Sequence, residues 1–181
     1  HVDRQEREAL VARLGLTPAP RVACFCPGAE YGPAKRWPAA HFGALATRLA
    51  AQGYAVWLIG SARERELGEA IRAAGGEAAV NLCGRTSLDE AVVLLSAADL
   101  VVSNDSGLMH VAAALDRPMI ALYGSSSPAF TPPLSAHARV VKIDVPCSPC
   151  FERNCPLGHF DCMMKLTPEQ VLAEIRRDIP K

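Results

Sequence analysis

Apolar residues follow two patterns that alternate along the chain. Short, nearly continuous apolar runs predict buried strands, and apolar residues at every third or fourth position predict amphipathic helices. The predicted strands are 21–26, 55–59, 78–82, 100–103, 118–123 and 140–143. The predicted helices are 3–14, 38–52, 63–74, one beginning at Ser87 with Leu88, Val92 and Leu95 facing inward, one ending at about Leu115, and 167–179. We therefore predict an α/β fold, a Rossmann-like, doubly wound parallel sheet with helices on both faces.

The composition indicates one domain, 1–181. Hydrophobic residues make up 50% and charged residues 21% of the 181 positions, as in an ordinary globular protein. Within this domain we predict an N-terminal helix and linker over 1–20, a cysteine-rich loop over 146–166 and a C-terminal helix over 167–179.

Charge and hydropathy narrow the classes of partner. The 19 basic residues balance 19 acidic ones, so no overall field attracts nucleic acid or an anionic membrane. No apolar run approaches the roughly 20 residues of a membrane span, and the charged N-terminus is unlike a secretory signal. We expect a cytoplasmic protein with no transmembrane segment and no nucleic-acid partner.

The stretch Leu100–His110 turns from strand into helix. The free N–H groups and the positive dipole end at such a turn favour phosphate. Asp105 can accept hydrogen bonds from hydroxyls, Ser106 adds a hydroxyl, and His110 follows about one turn later. This chemistry suits a phosphorylated, hydroxyl-rich ligand. The alternatives are that Asp105 and Ser106 only cap the helix and that His110 is a core residue.

Further candidates follow the other strands, whose carboxyl ends meet at one edge of a parallel sheet. Lys35 can neutralise a diphosphate, and Glu64 can accept both hydroxyls of a ribose. The loop 125–127 can donate hydrogen bonds. Alternatively, Glu64 is one more carboxylate of a solvated helix face, and Arg36 is a solvated surface charge. The glycine motifs of dinucleotide-dependent oxidoreductases and P-loop NTPases are missing from the sequence, which argues against both classes.

Motifs in several of these loops carry a family resemblance. They are Pro27-Gly28-Ala29, Lys35-Arg36-Trp37-Pro38, Gly60-Ser61-Ala62-Arg63-Glu64, Asn104-Asp105-Ser106-Gly107-Leu108-Met109-His110 and Tyr123-Gly124. In this order they resemble the C-terminal half of the ADP-heptose:lipopolysaccharide heptosyltransferases, glycosyltransferase family 9, and specifically the heptosyltransferase II type.

The resemblance implies the C-terminal half of a GT-B glycosyltransferase, the domain that binds the nucleotide-sugar donor. It implies two catalytic residues: Lys35 holds the diphosphate and stabilises the departing ADP, and Asp105 holds the heptose hydroxyls. The implied substrate-binding residues are Glu64 at the ribose, the backbone of Thr86, Ser87 and Leu88 at the adenine, and Ser106, Gly107 and His110 at the phosphate-facing helix start.

The implied activity is inverting transfer of heptose from ADP-heptose to the lipopolysaccharide inner core, with no required cofactor, at a place peripheral to the inner membrane. The base that activates the acceptor would belong to an N-terminal acceptor domain. The sequence also lacks an initiator methionine, so we expect it to be part of a longer protein, one that binds donor without catalysing transfer alone. ADP affinity should be lost in Lys35→Ala and Asp105→Asn. An alternative is a GT-B transferase that uses another nucleotide sugar.

Seven cysteines fall into two groups. Cys24, Cys26 and Cys83 adjoin apolar runs and are predicted to be small buried hydrophobes. Cys147, Cys150, Cys155 and Cys162 have spacing typical of zinc ligands, but the second pair is not Cys-x-x-Cys. The incomplete pattern favours no metal. Zinc, reduced packing thiols and a disulfide from Cys147 stay open, and a metal-organised, non-catalytic docking module is the competing function.

Overall fold

A computed structural model describes residues 2–178 and confirms the α/β class. Its six strands are β1 (Arg21–Cys26), β2 (Tyr54–Leu58), β3 (Ala79–Asn81), β4 (Leu100–Asn104), β5 (Met119–Leu122) and β6 (Ala138–Val141). The helices are α1 (Arg4–Arg13), α2 (Ala39–Ala50), α3 (Arg65–Ala74), α4 (Leu88–Ser96), α5 (Gly107–Ala114), α6 (Asp161–Met164) and α7 (Pro168–Asp178). Short 3₁₀ turns occupy Pro33–Lys35 and Ala62–Glu64.

All neighbouring strands pair in parallel, in the order β3-β2-β1-β4-β5-β6. From β1 the chain moves outward to β3, then returns to β4 beside β1 and moves outward the other way. The order therefore reverses between β1 and β4. In sheets of this type the crevice beyond the carboxyl ends at such a reversal is where ligands bind.

Apolar residues cover both faces of the sheet. In β1, Ala23 and Phe25 point into one cluster, with α2, α3 and α7, while Cys24 and Cys26 point into the other, with α1, α4 and α5. Cys83 is 1% exposed, so the prediction of three buried cysteines is confirmed. Helices on both faces are confirmed as well.

The expected inward face of α4 is wrong at its first residue. Leu88 is 66% exposed, whereas Ala91, Leu94 and Leu95 are buried. The reason is position: Leu88 is the first residue of α4, and the residues that α4 buries begin only at Ala91. The apolar spacing alone does not show where a helix starts to overlie its sheet.

Most predicted boundaries hold within one or two residues. The main shift is β6, predicted at 140–143 and observed at Ala138–Val141, because its four residues pair with the four of β5, Met119 to Leu122. The predicted helix 63–74 is divided into the 3₁₀ turn and α3. The C-terminal helix is observed as α7, and residue 179 lies outside the described residues.

No helix within residues 2–178 is both long enough and apolar enough to cross a membrane.

Candidate functional site: the crevice between β1 and β4

A buried ion pair lies at the reversal point of the sheet. Lys35 ends the 3₁₀ turn after β1, and Asp105 directly follows β4. Lys35 Nζ lies 2.7 Å from Asp105 Oδ2, and the two side chains are only 14% and 4% exposed. Thr131, from the loop after β5, donates from Oγ1 to the same oxygen at 3.0 Å. The structure thus joins the two residues that the sequence predicts to be catalytic.

Asn104, the last residue of β4, fixes the loop that carries Lys35. Its Nδ2 donates to the carbonyl oxygen of Pro27 at 2.7 Å, and its Oδ1 accepts from the backbone N–H of Trp37 at 3.1 Å. Trp37 is itself buried, and its indole N–H donates to the carbonyl oxygen of Leu166 at 2.7 Å. Both ends of the loop are therefore anchored around Lys35.

The start of α5 is open to the crevice. Ser106 occupies the N-cap position, yet among the described residues its side chain makes no capping hydrogen bond and lies 3.3 Å from Ser103 Oγ. Gly107 is exposed, and no described atom beyond its chain neighbours and helix backbone lies within 4 Å of the position a Cβ would take. His110 is exposed. Side-chain capping at Ser106 and a core position for His110 are therefore not what the structure shows.

Glu64 lies at the carboxyl ends of three strands. Its Oε2 accepts from the N–H and Oγ of Ser61 at 2.8 and 2.5 Å. A Cβ on Gly28 would lie 2.9 Å from Glu64 Cγ, so this glycine allows the loop after β1 to approach the carboxylate. Burial raises the pKa of the Cys83 thiol to about 12, and the nearby charge of Glu64 adds to that shift. Glu64 is half-buried and held, unlike a carboxylate on a solvated helix face.

Thr86, Ser87 and Leu88 lie after the outermost strand, β3. Ser87 and Glu90 form a reciprocal capping box at the start of α4, which occupies the Ser87 hydroxyl. Leu88 presents an exposed apolar side chain there. The predicted site residues thus form a row along one edge, from β3 through β2 and β1 to β4, rather than a single cluster.

Three residues of the crevice were not singled out from the sequence. Asn104 belongs to a quoted motif, but nothing in the sequence shows that it bridges two ends of a distant loop. Thr131 and Tyr123 meet because the Tyr123 hydroxyl donates to the carbonyl oxygen of Thr131. Burial raises the pKa of Tyr123, and the charge of Asp105 adds to this, so Tyr123 is held as a neutral donor.

The structure also bears on Arg36 and on the loop 125–127, which the sequence predicts to be a solvated charge and a hydrogen-bond donor, respectively. Arg36 is half-buried and its Nε is shielded from solvent, so its side chain is less solvated than the expected surface charge. In the loop after β5, the Oγ atoms of Ser125 and Ser126 are buried and have no hydrogen-bond partner within residues 2–178.

The four cysteines of the cysteine-rich loop come together. Cys147, Cys150, Cys155 and Cys162 line one small cavity, and none of the described cysteines forms a disulfide. Burial raises the pKa of Cys162 to about 11, and the other three thiols add to this. The backbone N–H of Phe160 is the main cause of a lowered pKa at Cys155. In the part of the chain described, no three His, Cys, Asp or Glu side chains already stand in a metal-binding arrangement.

Comparison with known proteins decides the family. The sequence profile of glycosyltransferase family 9 (heptosyltransferase) matches residues 1–161. The chain belongs to glycosyltransferase family 9. The crevice between β1 and β4 is therefore that of a glycosyltransferase family 9 domain, as the resemblance of its loops implies.

Individual members of glycosyltransferase family 9 agree with this assignment. Lipopolysaccharide heptosyltransferase 2 of Salmonella typhimurium is 45% identical over 178 residues, which cover 96% of this chain and 51% of that protein. The solved structure of E. coli ADP-heptose LPS heptosyltransferase II has a TM-score of 0.86 at 43% identity, over 98% of this chain and 52% of that chain.

A second solved member, the E. coli heptosyltransferase WaaC with ADP, has a TM-score of 0.71 at 26% identity, over 98% of this chain and 50% of that chain. The present chain thus spans about half the length of the relatives it matches. Its fold is the Rossmann-like half of a GT-B glycosyltransferase.

Proposed function

We propose that this chain is the donor-binding domain of an inverting glycosyltransferase that moves heptose from ADP-heptose to the lipopolysaccharide inner core. The observation that carries the proposal is the Lys35–Asp105 pair, buried at the reversal point of a family 9 sheet. The similarity to a heptosyltransferase solved with ADP supports the choice of nucleotide.

In this function Lys35 binds the diphosphate of the ADP-heptose donor. An acceptor hydroxyl attacks the anomeric carbon of the heptose from the face opposite the diphosphate, the bond to the phosphate oxygen breaks, and ADP leaves with the bonding electrons. A fixed ammonium group at that oxygen stabilises the charge that develops in the transition state. The amide groups at the start of α5, together with Ser106, Gly107 and His110, also stabilise the negative charge on the departing diphosphate.

Asp105 and Glu64 recognise hydroxyl groups. Asp105 accepts from the heptose hydroxyls in place of, or together with, the present donors Lys35 and Thr131. Glu64 accepts from the ribose, one strand further out, where the loop after β1 packs closely beside its carboxylate at Gly28. Adenine lies against the backbone of 86–88, where the exposed Leu88 offers an apolar surface. The strand order β4, β1, β2, β3 supports these assignments, because heptose, diphosphate, ribose and adenine follow one another in the same order along the donor.

The base that deprotonates the acceptor belongs, in this proposal, to an N-terminal acceptor domain outside the 181 residues. The chain alone therefore binds donor without transferring heptose. The full enzyme works on the cytoplasmic side, peripheral to the inner membrane. Domain 1–181 is one donor-binding unit, with the linker over 1–20, the cysteine-rich loop over 146–166 and the terminal helix over 167–179.

The test is calorimetric titration of the chain with ADP, with UDP and GDP as controls. We expect saturable binding that favours ADP and that weakens about 10- to 100-fold in Lys35→Ala, because hydrogen bonds to charged groups contribute roughly 1.5–3 kcal/mol. Lys142→Ala is the matched control, since Lys142 is 53% exposed and pairs only loosely with Asp144 at 3.7 Å.

Three results would contradict the proposal in different ways. Equal loss of affinity in Lys35→Ala and Lys142→Ala would remove Lys35 from the site. Preference for UDP or GDP would favour the related transferase with another nucleotide sugar. Steady heptose transfer by the isolated chain would show that its own residues supply the base.

A further inference from the structure

The cavity in the cysteine-rich loop has the size of a single small occupant. Its volume is about 20 Å³, slightly more than the roughly 10–15 Å³ that one water needs. Cys147, Cys150, Cys155 and Cys162 all contribute to its wall. Three of these thiols come from the irregular part of the loop and the fourth from α6, so the fold brings them together from different local structures.

A second observation indicates that an occupant belongs there. Ser125 also lines the cavity, is 1% exposed, and its Oγ has no partner within the described residues. A buried hydroxyl without a partner costs about 1–3 kcal/mol, so such a group normally faces a ligand, an ion or a water. Cys155 meanwhile accepts the backbone N–H of Phe160 at 3.4 Å, a contact that suits a thiolate.

We propose that Cys147, Cys150, Cys155 and Cys162 bind one thiophilic divalent metal ion of the zinc type. Four thiolates in a tetrahedral arrangement are a standard structural zinc site, and binding would release the four thiol protons to solvent. Within residues 2–178 the four side chains do not form a ready-made set of metal ligands, so this proposal requires the thiols to reorient towards the cavity that they line. The proposal departs from the expectation, from spacing alone, that the loop holds no metal, and it rests on the cavity and the unpartnered serine.

The metal would brace the turn that carries Lys35. Ala34 lines the same cavity, and its N–H donates to the carbonyl oxygen of Arg153 at 3.1 Å. The Tyr31 hydroxyl donates to the carbonyl oxygen of Phe151 at 2.8 Å. Gly32 has no room for a Cβ, which would clash with the Arg153 carbonyl. The cysteine-rich loop is therefore packed directly against the Lys35 turn, and fixing the loop fixes the turn.

The test measures metal content of the chain purified under reducing conditions with Zn²⁺ present, then freed of loosely bound ions. We expect about one zinc per chain, and less than about a tenth of that in Cys150→Ser and Cys155→Ser. Cys24→Ser is the control, because Cys24 is buried on the opposite face of the sheet and should leave the zinc content unchanged. Co²⁺ in place of Zn²⁺ should give the thiolate charge-transfer absorption of a tetrahedral site.

The wild-type protein provides a readout that does not depend on the folding of variants. A chelator should lower its melting temperature, and added Zn²⁺ should restore it. Less than about a tenth of a zinc per chain, with all seven thiols reactive after denaturation, would overturn the proposal in favour of an ordered water. A mass deficit showing a disulfide within this loop would overturn it as well. These results do not depend on the proposed function; a weaker affinity for ADP after chelation would be expected only if both proposals hold.

Discussion

Lys35 and Asp105 form an ion pair in which both side chains are largely buried. Their side chains are 14% and 4% exposed, and the two atoms in contact are 2.7 Å apart. Such a pair adds little net stability compared with apolar residues, but removing one member leaves an uncompensated buried charge. The pair is therefore sensitive to single substitutions in a way that the exposed ion pairs of this chain are not.

Asp105→Asn should lower the free energy of unfolding by about 3–5 kcal/mol, because Lys35 then keeps its charge without a partner. The measurement is urea unfolding at neutral pH. Asp144→Asn is the matched control: its side chain is 99% exposed, its contact with Lys142 is 3.7 Å, and its loss should change stability by at most about 0.5 kcal/mol. Equal, small effects of the two substitutions would show that the Lys35–Asp105 contact is not a buried pair in solution.

At the scale of elements, the loop after β1 owes its shape to the end of β4. Asn104 accepts from the Trp37 N–H and donates to the Pro27 carbonyl, and both contacts are buried. A strand of the sheet thereby sets the conformation of a loop that has little regular structure of its own beyond one 3₁₀ turn. This makes Asn104 a positioning residue for Lys35.

Asn104→Ala should lower the free energy of unfolding by about 3 kcal/mol, because it leaves two buried backbone groups unpaired. It should also weaken ADP binding, since Lys35 loses its fixed position. Asn104→Asp keeps an acceptor for the Trp37 N–H, but it loses the donor to Pro27 and buries a carboxylate beside Asp105, so its ADP affinity should fall at least as far as that of Asn104→Ala. Gln52→Ala, at an exposed turn, should match wild type in both measurements. Unchanged ADP affinity in a folded Asn104→Ala variant would contradict the positioning role.

The order of the strands and helices was easier to predict from the sequence than the contacts between them. The order of strands and helices follows from apolar periodicity, which depends on neighbours a few positions apart. The exposure of Leu88 and the register of β6 depend instead on where another element begins or ends. Similarly, the Lys35 and Asp105 motifs were visible in the sequence, but the contact of Thr131 with Asp105 joins residues 26 positions apart and has no local signal.

At the scale of the whole molecule, the two edges of the sheet offer different surfaces. The carboxyl edge holds the Lys35–Asp105 crevice. The amino edge holds a cavity of about 620 Å³, lined by Arg21, Tyr54, Asp99 and His137 among others. Size alone would favour the amino edge, whereas the sheet topology favours the carboxyl edge.

Amide hydrogen exchange with saturating ADP separates the two edges. Ligand binding stabilises the local structure it contacts, so exchange should slow at the carboxyl edge and stay unchanged at the amino edge. The segments expected to slow are 27–38, 60–64, 84–88 and 105–110, and those expected to stay unchanged are 51–54, 97–99, 116–118 and 135–138. Protection confined to the second group would move the nucleotide to the amino-edge cavity.

The Lys35–Asp105 contact also bears on how long a nucleotide would stay bound. Under the proposed function, a diphosphate can gain the Lys35 ammonium only by displacing a carboxylate that remains tethered next to it. A tethered group acts at a high effective concentration, so Asp105 is a resident competitor of the diphosphate. In contrast to the loss of ADP affinity expected from the sequence for Asp105→Asn, this competition limits the affinity for ADP, and Asp105 recaptures the ammonium when ADP dissociates. Under the proposed function, the same pair that neutralises the crevice would favour release of ADP over tight retention.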